Sequence, residues 1–346
     1  MPFRRPFLAG AGAVTERSSW IVRLHNRDGR TGIGEVAFGP GASAAEEGRV
    51  AAALRQTIEI AAAGESPDWA ALGAAEWRAV RAGWDGALED LAATSAPSPP
   101  QAAVSVAVNV TLEISPPRVA AQAAAGAISA GFTCIKLKTG HEVSGTLVDR
   151  VRAVRAAVGQ TVRLRLDANG AWDYDTAAGL MDDLAEFDIE YVEQPLPRDD
   201  LAGHARLRHH SAVPIALDET IDSEAAAGAA IAARAADVLV VKPARVGGPA
   251  VVRAIAALAA SAGVPVVLST FFETGVGTAA AIRAAGALPS VGRERAHGLA
   301  TAGLLERDLL VESCAVGGGR IARPAELVLD EDALRRYTVE TLKMAR

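Results

Sequence analysis

The chain has 346 residues, a formal net charge of −6, 50% hydrophobic content and only 4% aromatic residues. That length can bury one large core, or a barrel with a companion domain, and the acidic balance with scattered Lys and Arg argues against a nucleic-acid-binding surface. Cys134 and Cys314 are the only cysteines; they fit no CxxC spacing and read as buried, reduced thiols of a cytoplasmic protein.

Two stretches imitate targeting signals. Arg4 and Arg5 precede an apolar, Gly-rich run to residue 14, which is too short and too weakly hydrophobic for a signal peptide. Residues 254–272 are uncharged and long enough to span a membrane, but Gly263-Val264-Pro265 breaks them. Helix, turn and buried strand is the better reading, so no membrane partner is expected.

From the N-terminus, residues 7–17 read as a Gly-containing loop. Residues 19–26 alternate as a strand, Arg27-Asp28-Gly29-Arg30 makes a hairpin turn, and residues 31–37 return. Residues 38–43 form a Gly/Pro loop that, with residues 7–17, should close over the site. Helices follow at 44–63, 69–72 and 76–93, the last interrupted by Gly83 and Gly86. The three prolines of residues 95–100 read as a linker. This first part is α+β and lacks the rhythm that follows.

That rhythm is a strand–helix alternation. Strands are predicted at 103–112, 132–138, 162–167, 189–193, 215–218, 238–242 and 264–269, with a weaker eighth at 295–299. Helices are predicted at 117–130, 143–158, 175–187 with Asp175 as N-cap, 201–209, 223–233 capped by Ser223, 249–262 and 275–287. A late strand at 326–329 lies in a tail that should return to the first domain. The expected domains are a cap over 1–94, a β/α barrel over 102–308, and a C-terminal segment over 309–346.

The strand ends carry the chemistry. Ile135-Lys136-Leu137-Lys138, Leu166-Asp167-Ala168-Asn169, Val192-Glu193-Gln194, Leu217-Asp218-Glu219 and Val241-Lys242 each finish an apolar run. The steps from Lys138 are 29, 26, 25 and 24 residues, each about one strand, one helix and two loops. A parallel barrel brings such ends to one face, whereas an open sheet spreads them along an edge. Three converging carboxylates repel unless a cation sits among them, and oxygen ligands suit a hard divalent ion, Mg²⁺ with Mn²⁺ as substitute. A metal flanked by lysines is a device for removing a proton beside a carboxylate. Singly, each acid could be a helix cap or a surface ion pair; jointly, the even spacing favours a metal site. Lys136 and Lys138 share one side of a buried strand. Asn169 is an ordinary turn residue or an organiser of the metal shell, and Glu219 is expected to pair with a Lys. His204, His209 and His210 read as surface residues.

At these motifs the chain resembles the enolase superfamily, in its muconate-lactonizing-enzyme subgroup. The resemblance implies a modified TIM-type barrel with an α+β cap, metal ligands Asp167, Glu193 and Asp218, and catalytic Lys138 and Lys242. Gly34-Glu35-Val36-Ala37, residues 269–274 (Ser269-Thr270-Phe271-Phe272-Glu273-Thr274) and Ala296-His297-Gly298-Leu299 are most similar to the o-succinylbenzoate synthases of menaquinone biosynthesis. Those enzymes dehydrate a cyclohexadiene carboxylate. Dipeptide epimerases of the group use Asp-x-Asp after strand eight; here Leu299-Ala300-Thr301-Ala302 has no acid. Arg245, three residues after Lys242, resembles the branch with N-succinylamino acid racemases, the alternative activity beside muconate-cycloisomerase-like chemistry. Lys136, Asn169, Glu219, Arg245, Ser269, Thr270 and Glu273 are candidates for substrate binding or support of the ligands. The expected partner is a small-molecule carboxylate, and a homo-oligomer is compatible with the sequence. A degenerate barrel that binds metal without turnover is the non-enzyme alternative.

Overall fold

Asn26 closes the hairpin that the sequence marks most clearly: its Oδ1 accepts from Asp28 N (3.0 Å) and Arg30 N (2.9 Å). The turn joins β3 (Ser19–His25) to β4 (Thr31–Ala37), paired antiparallel over seven residue pairs. The computed structural model describes residues 1–9, 12–39, 41–69, 72, 74–95, 104–140, 142, 144–291 and 294–343. Before the hairpin, β1 (Pro2–Ala9) and β2 (Gly12–Glu16) pair antiparallel, where the sequence suggested a loop from residue 7. Pro2 and Pro6 disguise the strand, and a register irregularity between Pro2 and Phe7 accommodates the second of them.

α1 (Ala44–Ala62) starts with a Ser43/Glu46 capping box. α2 (Ala75–Ser95) is unbroken despite its two interior glycines. They lie there because α2 presses on the hairpin: a Cβ on Gly34 would stand 2.0 Å from Gly83 O, and one on Gly83 2.5 Å from Val36 Cγ2. Val22, Val36, Val50, Leu54 and Val80 form the core of this cap. The short helix expected around 69–72 and the Pro-rich linker fall largely outside the described residues.

The barrel strands come in chain order. The predicted first strand divides into β5 (Ser105–Ala107) and β6 (Val110–Leu112). β6 joins β7 (Cys134–Lys138), β8 (Arg163–Asp167), β9 (Ile189–Glu193), β10 (Ile215–Leu217), β11 (Val238–Val241) and β12 (Val266–Leu268) in one parallel sheet. The eighth strand shrinks to two parallel bridges, Val108↔His297 and Ser269↔Gly298, which join the first strand to the seventh. Parallel strands need covering on both faces. The covering helices are α3 (Pro117–Ser129), α4 (Ser144–Val158), α5 (Tyr174–Leu184), α6 (Leu201–His210), α7 (Glu224–Ala232), the short α8 (Pro243–Val246), α9 (Pro249–Ser261) and α10 (Gly275–Gly286). Asp173, not Asp175, caps α5, accepting from Thr176 N; Ser223 caps α7 as expected.

In the tail, β13 (Ala315–Gly317) and β14 (Arg320–Ala322) form a hairpin that takes β5 as its third strand. That explains why residues 103–112 are not one barrel strand. The strand expected at 326–329 is only a bridge, Leu310↔Leu329. α11 (Glu331–Tyr337) follows, and Arg23–Glu331 and Arg55–Glu340 tie the tail to the cap. The apolar run at 254–272 is α9, a turn and β12, and no helix among the described residues is long and apolar enough to cross a membrane.

Candidate active site

On β7, Ile135 and Leu137 are wholly buried against the helices, so Cys134, Lys136 and Lys138 face the barrel interior. Register then sets Lys138 beside Asp167 and Asp167 beside Glu193. Asp218 follows β10 and Lys242 follows β11, so the order across the sheet is Lys138, Asp167, Glu193, Asp218, Lys242. The three carboxylates are 1–2% exposed.

As placed, the ammonium groups lie among the carboxylates. Lys136 Nζ is 2.9 Å from Asp167 Oδ2 and 3.1 Å from Glu193 Oε1, and Lys138 Nζ is 2.8 Å from Asp167 Oδ2. Lys242 pairs closely with Asp218, and Arg245 Nη1 donates to both Asp218 Oδ1 and Asp218 O at 2.8 Å. Among the described residues, no three of His, Cys, Asp and Glu are gathered on one point.

Burial opposes the charge of Asp167, but Lys136 and Lys138 outweigh it and hold the carboxyl below the ordinary range. Asp218 is lowered in the same way, against burial, by Arg245 and Lys242. Lys136 also suffers from burial, yet Asp167 and Glu193 keep it well above its ordinary value. Glu193 goes the other way. Burial and then Asp167 push it up to about 7, although Lys136 opposes this. Nearby, Glu219 Oε2 is buried without a hydrogen-bond partner. Three desolvated carboxylates at adjoining strand ends, with an unpartnered Glu219 oxygen nearby, have the chemistry of a hard divalent-cation site at Asp167, Glu193 and Asp218, once the lysines that now pair with them swing aside.

The supporting residues distribute unevenly. Asn169, in a left-handed conformation (φ 49°), accepts from Lys138 Nζ (2.8 Å) and donates to Glu219 Oε1 (3.0 Å). Glu219 therefore meets Asn169, not the expected Lys; burial and then Asp218 raise its carboxyl. Ser269 bridges to Gly298, and Thr270 Oγ1 lies 2.6 Å from Thr301 Oγ1. Glu273 turns back onto its own loop, accepting from Phe271 N at 2.5 Å, and burial pushes it up to about 7 against the pull of Arg17. His209 and His210 are exposed, but His204 is fully buried. Its Nε2 accepts from Leu196 N (3.3 Å), which fixes the chain after β9 and corrects the surface assignment.

Two features escaped the sequence reading. Leu112 is in register with Leu137, so the next residue, Glu113, stands level with Lys138 at the rim. Glu113 makes no hydrogen bond or ion pair among the described residues; partial burial raises its carboxyl while Lys138 opposes this. It ends an apolar strand as the other acids do, and that signal was present. The second is Phe271, whose ring covers Lys242 Nζ (5.5 Å) and the Arg245 guanidinium (5.0 Å).

Comparison with known proteins agrees with this architecture. An o-succinylbenzoate synthase from Thermobifida fusca is 42% identical over 207 residues, 59% of this chain and 62% of that protein. The chain thus matches less than two thirds of that relative's length. Another, from Mycobacterium marinum, is 36% identical over 238 residues, 68% of this chain and 69% of the relative. Among solved structures, the substrate-liganded L-Ala-D/L-Glu epimerase from Bacillus subtilis superposes with a TM-score of 0.81 at 25% identity, over 94% of each chain. The sequence profile of the enolase C-terminal domain-like proteins matches residues 118–327, from the first barrel helix to beyond the last strand, and the chain belongs to that family.

Proposed function

We propose that the protein is a metal-dependent lyase of the o-succinylbenzoate synthase type, acting in menaquinone biosynthesis on a small cyclohexadiene carboxylate. What carries this reading is the order of groups across the sheet, with a reactive-type lysine on each flank of three buried carboxylates. Asp167, Glu193 and Asp218 would hold a divalent ion, Mg²⁺. When bound, the ion supplies positive charge beside the substrate carboxylate and so favours the enediolate.

The chain's own groups do the rest. Lys138, oriented by Asn169 and Asp167, takes the proton from the α-carbon as a neutral amine. Lys242, as an ammonium beneath Phe271, stabilises the developing negative charge. Lys138 then returns its proton to the departing hydroxyl on the same face. One C–H and one C–O bond break, a C=C bond forms, and water leaves.

The test is a substrate panel with Mg²⁺: the cyclohexadiene carboxylate, N-succinylamino acids and dipeptides. The cyclohexadiene should be dehydrated fastest, with activity abolished by EDTA and restored by Mg²⁺. A second reading, racemisation of N-succinylamino acids, is favoured by Arg245, which lies against Asp218 and shares the Phe271 ring with Lys242. In that chemistry Lys242 is a second base on the opposite face. Rapid α-deuteration of both enantiomers in D₂O, with no dehydration of the cyclohexadiene, would establish it over the first.

A further inference from the structure

Glu35 is the one charged residue of the Gly-Glu-Val-Ala stretch, and the reaction above gives it no part. Its side chain is fully buried, although it belongs to β4 of the cap. It accepts from Thr274 Oγ1 (2.6 Å), Thr274 N (3.0 Å) and Gly277 N (3.0 Å), so a cap carboxylate closes the N-terminus of the barrel helix α10. Arg17, also of the cap, donates to Glu35 Oε1 (3.1 Å) and, through the same nitrogen, to Phe272 O (2.5 Å). A buried carboxylate with this many donors is held to one position.

What it holds is a strained turn. Phe272 has φ 61°, a left-handed conformation that a bulky side chain rarely adopts. The cap grips it from a further side, because Phe3 of β1 meets the Phe272 ring edge-on at 5.6 Å. There is no slack nearby: a Cβ on Gly277 would lie 2.7 Å from Glu273 Cβ and 3.1 Å from Glu35 Oε2. The adjoining residue is Phe271, whose ring lies over Lys242 and Arg245. Arg78 of α2 meanwhile donates to Arg245 O at 3.0 Å.

We propose that Glu35 and Arg17 are positioning residues for Lys242: by locking the 271–274 turn they seat the Phe271 ring on the Lys242 ammonium, so the cap sets the geometry of one flank of the site. The consequence for turnover rests on the assignment of Lys242 as a reacting group; the placement itself does not.

The chain contains four lysines, Lys136, Lys138, Lys242 and Lys343. Protein carrying [ε-¹³C]lysine, with Mg²⁺ present, therefore gives four side-chain NMR signals, and Lys242 is the one lost in Lys242→Arg. Phe271→Leu removes the ring and defines the signal position of an uncovered Lys242. Glu35→Gln should move the Lys242 signal alone toward that position and lower kcat about tenfold with KM within about twofold. Should Glu35→Gln not fold, Arg17→Gln, which adds no lysine, carries the same criteria. A Lys242 signal unmoved from wild type overturns the proposal, and so does a common shift of Lys136, Lys138 and Lys242, which would mark general loosening. If Lys242 moves as expected but Lys242→Ala turns over at the wild-type rate, the positioning stands and the catalytic role of Lys242 falls.

Discussion

The barrel encloses two clusters of buried charge, one at the mouth and one a single interior layer below. In the lower cluster Arg165 is fully buried. It donates to Glu190 Oε2 (2.7 Å), Ala296 O (2.8 Å) and Asn109 Oδ1 (3.2 Å), and lies over the Tyr191 ring at 4.6 Å. At the mouth three of the four cations are lysines, with Arg245 the fourth on Asp218; they share carboxylates, and one of those carboxylates is pushed up to about 7. A guanidinium cannot give up its proton and fits a rigid set of acceptors; an amine can lose a proton and swing. The same desolvation thus makes a strut at one level and, in the proposed function, a set of reactive amines at the other.

Removing charge should separate the two functions. The largest expected effect is at the mouth. Asp218→Asn should lower kcat by about 10²-fold or more, since it weakens the hold on the cation that favours the enediolate, and it should also lower the melting temperature, because Lys242 and Arg245 lose their shared carboxylate. Steady-state rates and thermal melts on the same protein check this. In the lower cluster only stability should suffer. Arg165→Met leaves Glu190 buried with its principal partner gone, which costs about 3–5 kcal/mol by denaturant unfolding, with kcat of the folded protein nearly unchanged. Loss of activity without loss of stability in Arg165→Met would erase the distinction.

A smaller effect distinguishes the levels by pH. Glu193 has a folded value raised from 4.5 to about 7. In metal-free protein its contribution to stability is full below pH 4.5 and is lost as pH rises through 7, because the folded state keeps a proton that the unfolded chain releases. Glu193→Gln should flatten that slope, and so should Mg²⁺. His297, next to Ala296, whose carbonyl accepts from Arg165, accepts from Leu268 N, and burial and then Arg165 lower it from 6.5 to about 4. Its contribution is full above pH 6.5 and is lost as pH falls toward 4. Denaturation midpoints across pH, with Glu193→Gln and His297→Gln as controls, should show slopes of opposite sign.

The smallest effect concerns Glu113. Its negative charge at the rim opposes an anionic substrate, so Glu113→Gln should lower KM for a dicarboxylate by about twofold to fivefold, more at low salt. No change in KM at any ionic strength would remove Glu113 from the account.

The mouth was legible in the sequence because each of its charges ends a β-branched run at a nearly constant interval. A further signal was equally present: three of the four lysines lie in that ring, while arginine supplies nearly all the other positive charge. The lower cluster was not legible. Glu190 reaches Arg165 through a register irregularity between β8 and β9 that no alternation pattern reveals. Nor were the contacts of Glu35, which reach 239 residues along the chain to Thr274 and depend on how the cap docks. The first barrel strand is shorter than its apolar pattern predicts because β14, from the far end of the chain, pairs with Ser105–Ala107. Local pattern fixes which residues end strands; long-range docking decides which of them touch.

The central claim is that Lys138 removes the substrate's α-proton, and chemical rescue tests it most directly. Lys138→Ala, loaded with Mg²⁺ and given the cyclohexadiene carboxylate, should show no measurable dehydration. Added small primary amines should restore turnover in proportion to their free-base concentration, with a primary isotope effect when the α-carbon carries deuterium. Dehydration by Lys138→Ala at the wild-type rate without amine would contradict the account.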